Sequence, residues 1–151
     1  MLKSELTGFY ERDLFKLIEE IELYPNEADI WVIKEGISNS AGTLCLHLVG
    51  NLNHFIGATL GHTGYVRQRD LEFSLRNIPR DQLIDDIRNV FEIVIFTLGR
   101  LPEEALKDEF PLEKHGGKVT TMHMLIHLFG HLNYHLGQVN YHRRLCCSEV
   151  E

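Results

Sequence analysis

"RDQLIDDIRNVFEIVIFTL", residues 80–98, decides the class of the fold. Leu83, Ile87, Val90, Phe91, Val94 and Leu98 recur at intervals of three and four, the spacing of one face of an α-helix. Asp85, Asp86, Arg88 and Asn89 fall between them over the first turns, and Pro79 stands just ahead, where a helix start tolerates it. A helix with one apolar face needs partners to cover that face.

The flanking sequence supplies them. Upstream, "LKSELTGFYERDLFKLIEEIELYP" places Leu2, Leu6, Phe9, Tyr10, Leu14, Leu17 and Ile21 on a broad helical stripe closed by Pro25, which predicts a helix over 2–23. A polar segment then offers Ser38, Asn39 or Ser40 as N-cap for a second helix over 41–61. Residues 64–79, "GYVRQRDLEFSLRNIP", alternate too poorly for a strand and carry breakers at both ends, so they read as a long connection across the molecule. Downstream of residue 98, "LPEEAL" adds one short turn, a loop with "HGGK" follows, and Thr120 or Thr121 caps a last helix that runs to Cys146. Four helices without a convincing strand imply an all-α four-helix bundle, a single domain over 1–151. The connections on either side of the third long helix are long enough for crossovers, which leaves the up-down order open.

The chain of 151 residues is long enough to bury a core without disulfides or a structural metal. Its three cysteines, Cys45 and the pair Cys146 and Cys147, do not form a secreted disulfide framework and fit a reducing compartment. The N-terminal stretch lacks a signal-peptide core, and no run reaches the roughly 18 apolar residues of a membrane span. A cytoplasmic protein is expected, with no membrane partner. Twenty-two acidic against fifteen basic residues give a formal charge of −7, which repels a phosphate backbone and argues against nucleic acid as partner.

Six of the nine histidines fall between residues 115 and 142. Residues four apart on a helix share a face, about 6 Å apart along the axis, so two imidazoles at that spacing can converge on one ion. Three pairs qualify: His123 with His127, His127 with His131, and His131 with His135. A third ligand has to come from a facing helix, where His47, His54 and His62 are available. His47 and His54 lie one heptad apart on the border of the apolar arc formed by Leu44, Leu48, Leu52 and Ile56, where a side chain looks into a cleft; His62 sits at the end of the helix. For any one such histidine the plainer alternative is a partly buried side chain bonded to backbone or water.

"HLVGNLNHFIG" in the second helix and "HLFGHLNYHLGQVNYHRRL" in the last, together with "GYVRQRDLEF", resemble the DinB/YfiT-like superfamily of metalloenzymes, in particular a subgroup of unknown function. The resemblance covers essentially the whole chain. It implies a four-helix bundle, a homodimer, and a divalent ion such as zinc or nickel held by three histidines. One histidine comes from the second helix and two from the terminal "HxxxHxGQ", which correspond here to His47, His131 and His135. His127 is then left to a supporting role or to the core, and His54 remains the alternative to His47.

Three imidazoles leave an ion with open coordination positions, as catalytic rather than structural sites do. The superfamily's activities imply a thiol S-transferase, in which the ion activates a low-molecular-weight thiol such as bacillithiol or mycothiol for attack on a small-molecule electrophile. A metal-dependent hydrolase using bound hydroxide is the alternative, and a non-catalytic helical dimer is a third reading from another class. Gly130 and Gly137 suggest packing or cleft shaping; Gly50, Gly57 and Gly61 suggest close approach of another helix at a dimer contact. Cys45 reads as a buried small hydrophobe, the final cysteine pair as part of a frayed tail, and Asp85, Asp86 and "PEEALKDE" as solvated faces. Arg67, Arg69, Asp70 and Glu72 form ion pairs or line the mouth of the cleft; the sequence does not choose between the two.

Overall fold

The computed structural model describes residues 2–113 and 116–147; His115 lies outside them. Four long helices form a bundle: α1 (Leu2–Glu22), α2 (Ala41–Leu52), α4 (Arg80–Arg100) and α5 (Thr121–Cys146), with a short α3 (Arg69–Ser74) between α2 and α4. The described residues include no strand, and Glu109 and Thr120 form an isolated bridge. No described helix is long and apolar enough to cross a membrane.

Each long helix follows from its stripe. In α4, Leu83, Ile87, Val90, Val94 and Leu98 are buried, as their spacing requires, and in α1 so are Leu6, Tyr10, Leu14, Leu17 and Ile21. Leu2 and Phe9 are the exceptions on the predicted α1 stripe. Both are largely exposed, and Phe9 stacks on Phe129 of α5 with ring centroids 5.6 Å apart. Ser40 is the N-cap of α2, its hydroxyl accepting from the Thr43 amide, and Thr120 caps α5 by accepting from that of His123.

α1 packs on α4 and α5, and α2 packs on the same two helices. The order around the bundle is therefore α1, α4, α2, α5, with the consecutive pairs α1/α2 and α4/α5 on the diagonals. One apolar cluster draws on all four. Polar clamps fix α1 against α5: Glu20 accepts from Asn140 Nδ2 and Arg143 Nε, both at 2.8 Å, and Asp13 accepts from Asn133 Nδ2 at 2.9 Å.

Two features correct the sequence reading. The helix expected over 41–61 is regular only to Leu52 and continues as a π-helical turn, Asn53–Ala58, in which hydrogen bonds skip one residue further. The connection over 64–79 contains α3, which packs on α2 and is too short to display a helical period. The glycines beside these features serve contacts within the chain. A Cβ at Gly57 would meet Ile93, one at Gly61 would meet Thr97, and one at Gly50 would meet the Glu72 carboxylate, so within the chain the elements that approach are α4 and α3. Gly130 and Gly137 have nothing within 4 Å of where a Cβ would lie, so no close packing requires them, though Gly137 lines a groove between α1 and α5.

Candidate metal centre

His47 lies in the middle of α2, and His131 and His135 stand one turn apart on the facing stretch of α5. Their ring nitrogens converge: His131 Nε2 is 3.0 Å from His47 Nε2 and 3.1 Å from His135 Nε2, and one nitrogen from each ring falls within 4.8 Å of the others. Nitrogens bound to one ion at 2.0–2.1 Å stand about 2.9 Å apart at octahedral angles and about 3.4 Å apart at tetrahedral ones. Both separations fall inside that interval.

The far side of two rings sets their tautomers. His47 Nδ1–H donates to Glu72 Oε2 at 3.0 Å, and His135 Nδ1–H donates to Gln138 Oε1 at 2.6 Å. A proton fixed on Nδ1 leaves Nε2 with a lone pair, so both rings aim lone pairs at His131 Nε2. One proton on His131 can satisfy only one of those neighbours. A cation among the three satisfies all, and the donor set, three borderline nitrogens with a carboxylate and an amide behind them, suits a divalent transition ion.

Glu72 is the residue that sequence reasoning left undecided. It is 6% exposed on α3, and Arg67 clasps its carboxylate with Nε to Oε1 at 2.7 Å and Nη2 to Oε2 at 2.9 Å. The Arg67 guanidinium lies 5.9 Å from the centre of the Phe55 ring, and the Phe73 ring stands 5.0 Å from that of His47. Burial pushes the Glu72 carboxyl upward, but the hydrogen bonds from His47 and Arg67 and the Arg67 charge outweigh it, holding the carboxyl below the usual range. Arg67 balances the Glu72 charge, so an ion among the histidines keeps its own. Burial lowers His135, opposed by its bond to Gln138, which favours the neutral ring a metal requires.

The other described histidines do not join this convergent group. His123, His127 and His62 are exposed, so His127 is not part of the core. His54 is half-buried, with its pKa lowered by burial and by Arg67. His142 is buried elsewhere: its Nε2–H donates to Val32 O at 2.8 Å and its Nδ1 accepts from the Tyr24 hydroxyl at 2.7 Å. Cys45 is fully buried and its thiol is pushed up to about 12, as befits an inert apolar side chain. Cys146 is also buried, as the last residue of α5 and not part of a frayed tail. Of the four charged residues in the α2–α4 connection, Arg67 and Glu72 pair with each other, and Arg69 lies over the Phe73 ring.

Residues 14–150 match the family described as Protein of unknown function (DUF1572). The chain belongs to this family. The DUF1572 match takes in the three converging histidines, Glu72 and Gln138 alike. Comparison with proteins of curated function finds no match.

Proposed function

We propose that this DUF1572 chain is a DinB/YfiT-like metal-dependent enzyme that binds a divalent ion, zinc or nickel, through His47, His131 and His135, and transfers a low-molecular-weight thiol to an electrophile. The observation that carries it is the convergence of three Nε2 atoms, two of them from rings whose outer nitrogens are held by Glu72 and Gln138. The order of parts, one histidine on α2 and His131, His135, Gly137 and Gln138 on α5, supports the DinB/YfiT-like assignment.

When bound, the ion supplies Lewis acidity at the positions the three imidazoles leave open. The chain's own residues do the rest. Glu72 Oε2 holds the His47 Nδ1 proton and Gln138 Oε1 holds that of His135, so neither ring can turn its lone pair away. Both Glu72 oxygens are engaged by Arg67 and His47, which makes Glu72 a positioning residue rather than a base. The Phe73 ring packs beside that of His47, which is buried. The homodimer implied by the resemblance belongs to the same proposal, and light scattering at defined concentrations reads it directly.

Metal analysis of protein purified without an affinity tag tests the reading. One ion per chain is expected, lost in His131→Ala/His135→Ala; unchanged metal content in that variant refutes the site. With metal present, thiol-dependent consumption of monochlorobimane supports the transferase, and ester hydrolysis without a thiol requirement overturns it.

A further inference from the structure

A cavity of about 380 Å³ lies between the loop before α2 and the C-terminal half of α5, with Ile37, Leu44, Gln138, Tyr141, Leu145 and Cys146 in its walls. Leu44 precedes His47 by three residues and Gln138 follows His135 by three, so on both helices the cavity begins about 4.5 Å along the axis from a histidine. Gln138 joins the two spaces, since its carbonyl holds His135 while its side chain forms part of the wall.

The walls specify the ligand. Ile37, Leu44, Leu145, Cys146 and the Tyr141 ring are apolar, and Ser38, Asn39 and Gln138 offer hydrogen bonds without charge. Among the described residues no Lys, Arg, Asp or Glu lines the cavity. The imidazole in the wall, His142, has both nitrogens occupied by Tyr24 and Val32 and is held neutral by burial. The walls themselves offer no counter-charge to a carboxylate or ammonium, and Lys34, whose Nζ donates to Leu145 O at 2.8 Å, stands outside the lining. Tyr141 and Leu145 are 63% and 68% exposed, so a ligand that covers them removes apolar surface from water. The volume lies near the lower end of the roughly 300–1,000 Å³ usual for small-molecule sites.

We propose that this cavity binds the uncharged, largely apolar body of the electrophilic substrate and presents its reacting end to the metal centre. This rests on the metal-dependent function proposed above and adds the substrate class: a charged thiol is not the occupant.

The test uses full-length, metal-loaded protein and two probes of similar shape, uncharged N-phenyl-1-naphthylamine and anionic 8-anilinonaphthalene-1-sulfonate. Fluorescence titration reads affinity, and exchange of zinc for cobalt(II) reads proximity through the shift and broadening of the probe's NMR signals. The uncharged probe should bind about tenfold more tightly than the anionic one, and cobalt should perturb its signals. Ser38→Trp, which fills the cavity from an exposed position, and Leu145→Asp, which puts a charge in its wall, should each weaken the uncharged probe about tenfold with metal content unchanged. Preference for the anionic probe, indifference to both variants, or signals untouched by cobalt overturns the inference and leaves the metal centre standing. Absence of a stoichiometric ion overturns the proposed function, and this inference with it.

Discussion

Gly50→Ala should weaken metal binding without touching a ligand. The added Cβ would overlap Glu72 Oε1 and fall 2.6 Å from Cδ, whereas ordinary contact begins at 3.4 Å, so the carboxylate must retreat by at least about 0.8 Å. Arg67 stands 2.7–2.9 Å behind it and blocks a simple withdrawal. A displacement of that size takes the 3.0 Å bond to His47 Nδ1 beyond hydrogen-bond range. Loss of such an outer partner typically costs 10–100-fold in metal affinity, or about 1.4–2.8 kcal/mol. Competition against a chromophoric zinc chelator at fixed pH measures this, with circular dichroism confirming that the helices persist. In a Glu72→Ala background the obstruction is gone, so adding Gly50→Ala should cost no further affinity. A folded Gly50→Ala protein that binds zinc as well as the parent would refute the claim that Glu72 positions His47.

His54→Ala should keep its metal while His47→Ala loses it, because seven residues of helix carry His54 about 10.5 Å along the axis from His47; equal losses by metal analysis would restore the alternative. His142 is lowered in the folded protein, chiefly by burial, so between its unfolded value near 6.5 and its folded one the unfolded chain binds the extra proton and stability falls as the pH drops. Urea midpoints at pH 7.5 and 5.5 should therefore differ more for the parent than for His142→Gln, and identical differences would count against the sign. Gly42→Ala places a Cβ 2.7 Å from three ring carbons of Trp31 and should destabilise by about 1–3 kcal/mol despite alanine's better helix propensity; an unchanged urea midpoint would contradict it.

The long helices are legible because burying one face of twenty residues writes a period into the chain several times over. The stretch expected at 80–98 is observed as Arg80–Arg100, that at 2–23 as Leu2–Glu22, and the last helix runs from its Thr120 cap to Cys146. α3 and the 3₁₀ turn Glu27–Trp31 span six and five residues, less than two turns, and a period that does not recur cannot be read. The π-turn at Asn53–Ala58 is a shift in hydrogen bonding inside a stretch of ordinary helical composition, so no residue type announces it.

The site divides in the same way. Histidines four apart proclaim a pair through local geometry alone, but the choice among three pairs depends on the register of α2 against α5, which is set by packing between segments 84 residues apart. Glu72 is 25 residues from the histidine it holds and sits among four charges of both signs, with no spacing to mark it. Its trace lies elsewhere, at Gly50. Glycine inside a helix costs about 1 kcal/mol against alanine, and a buried carboxylate must be fully paired to be tolerated at all. Stability alone would favour alanine at 50 and an apolar side chain at 72. The chain instead bears both costs at adjoining positions, and the one thing they jointly achieve is a carboxylate fixed behind His47.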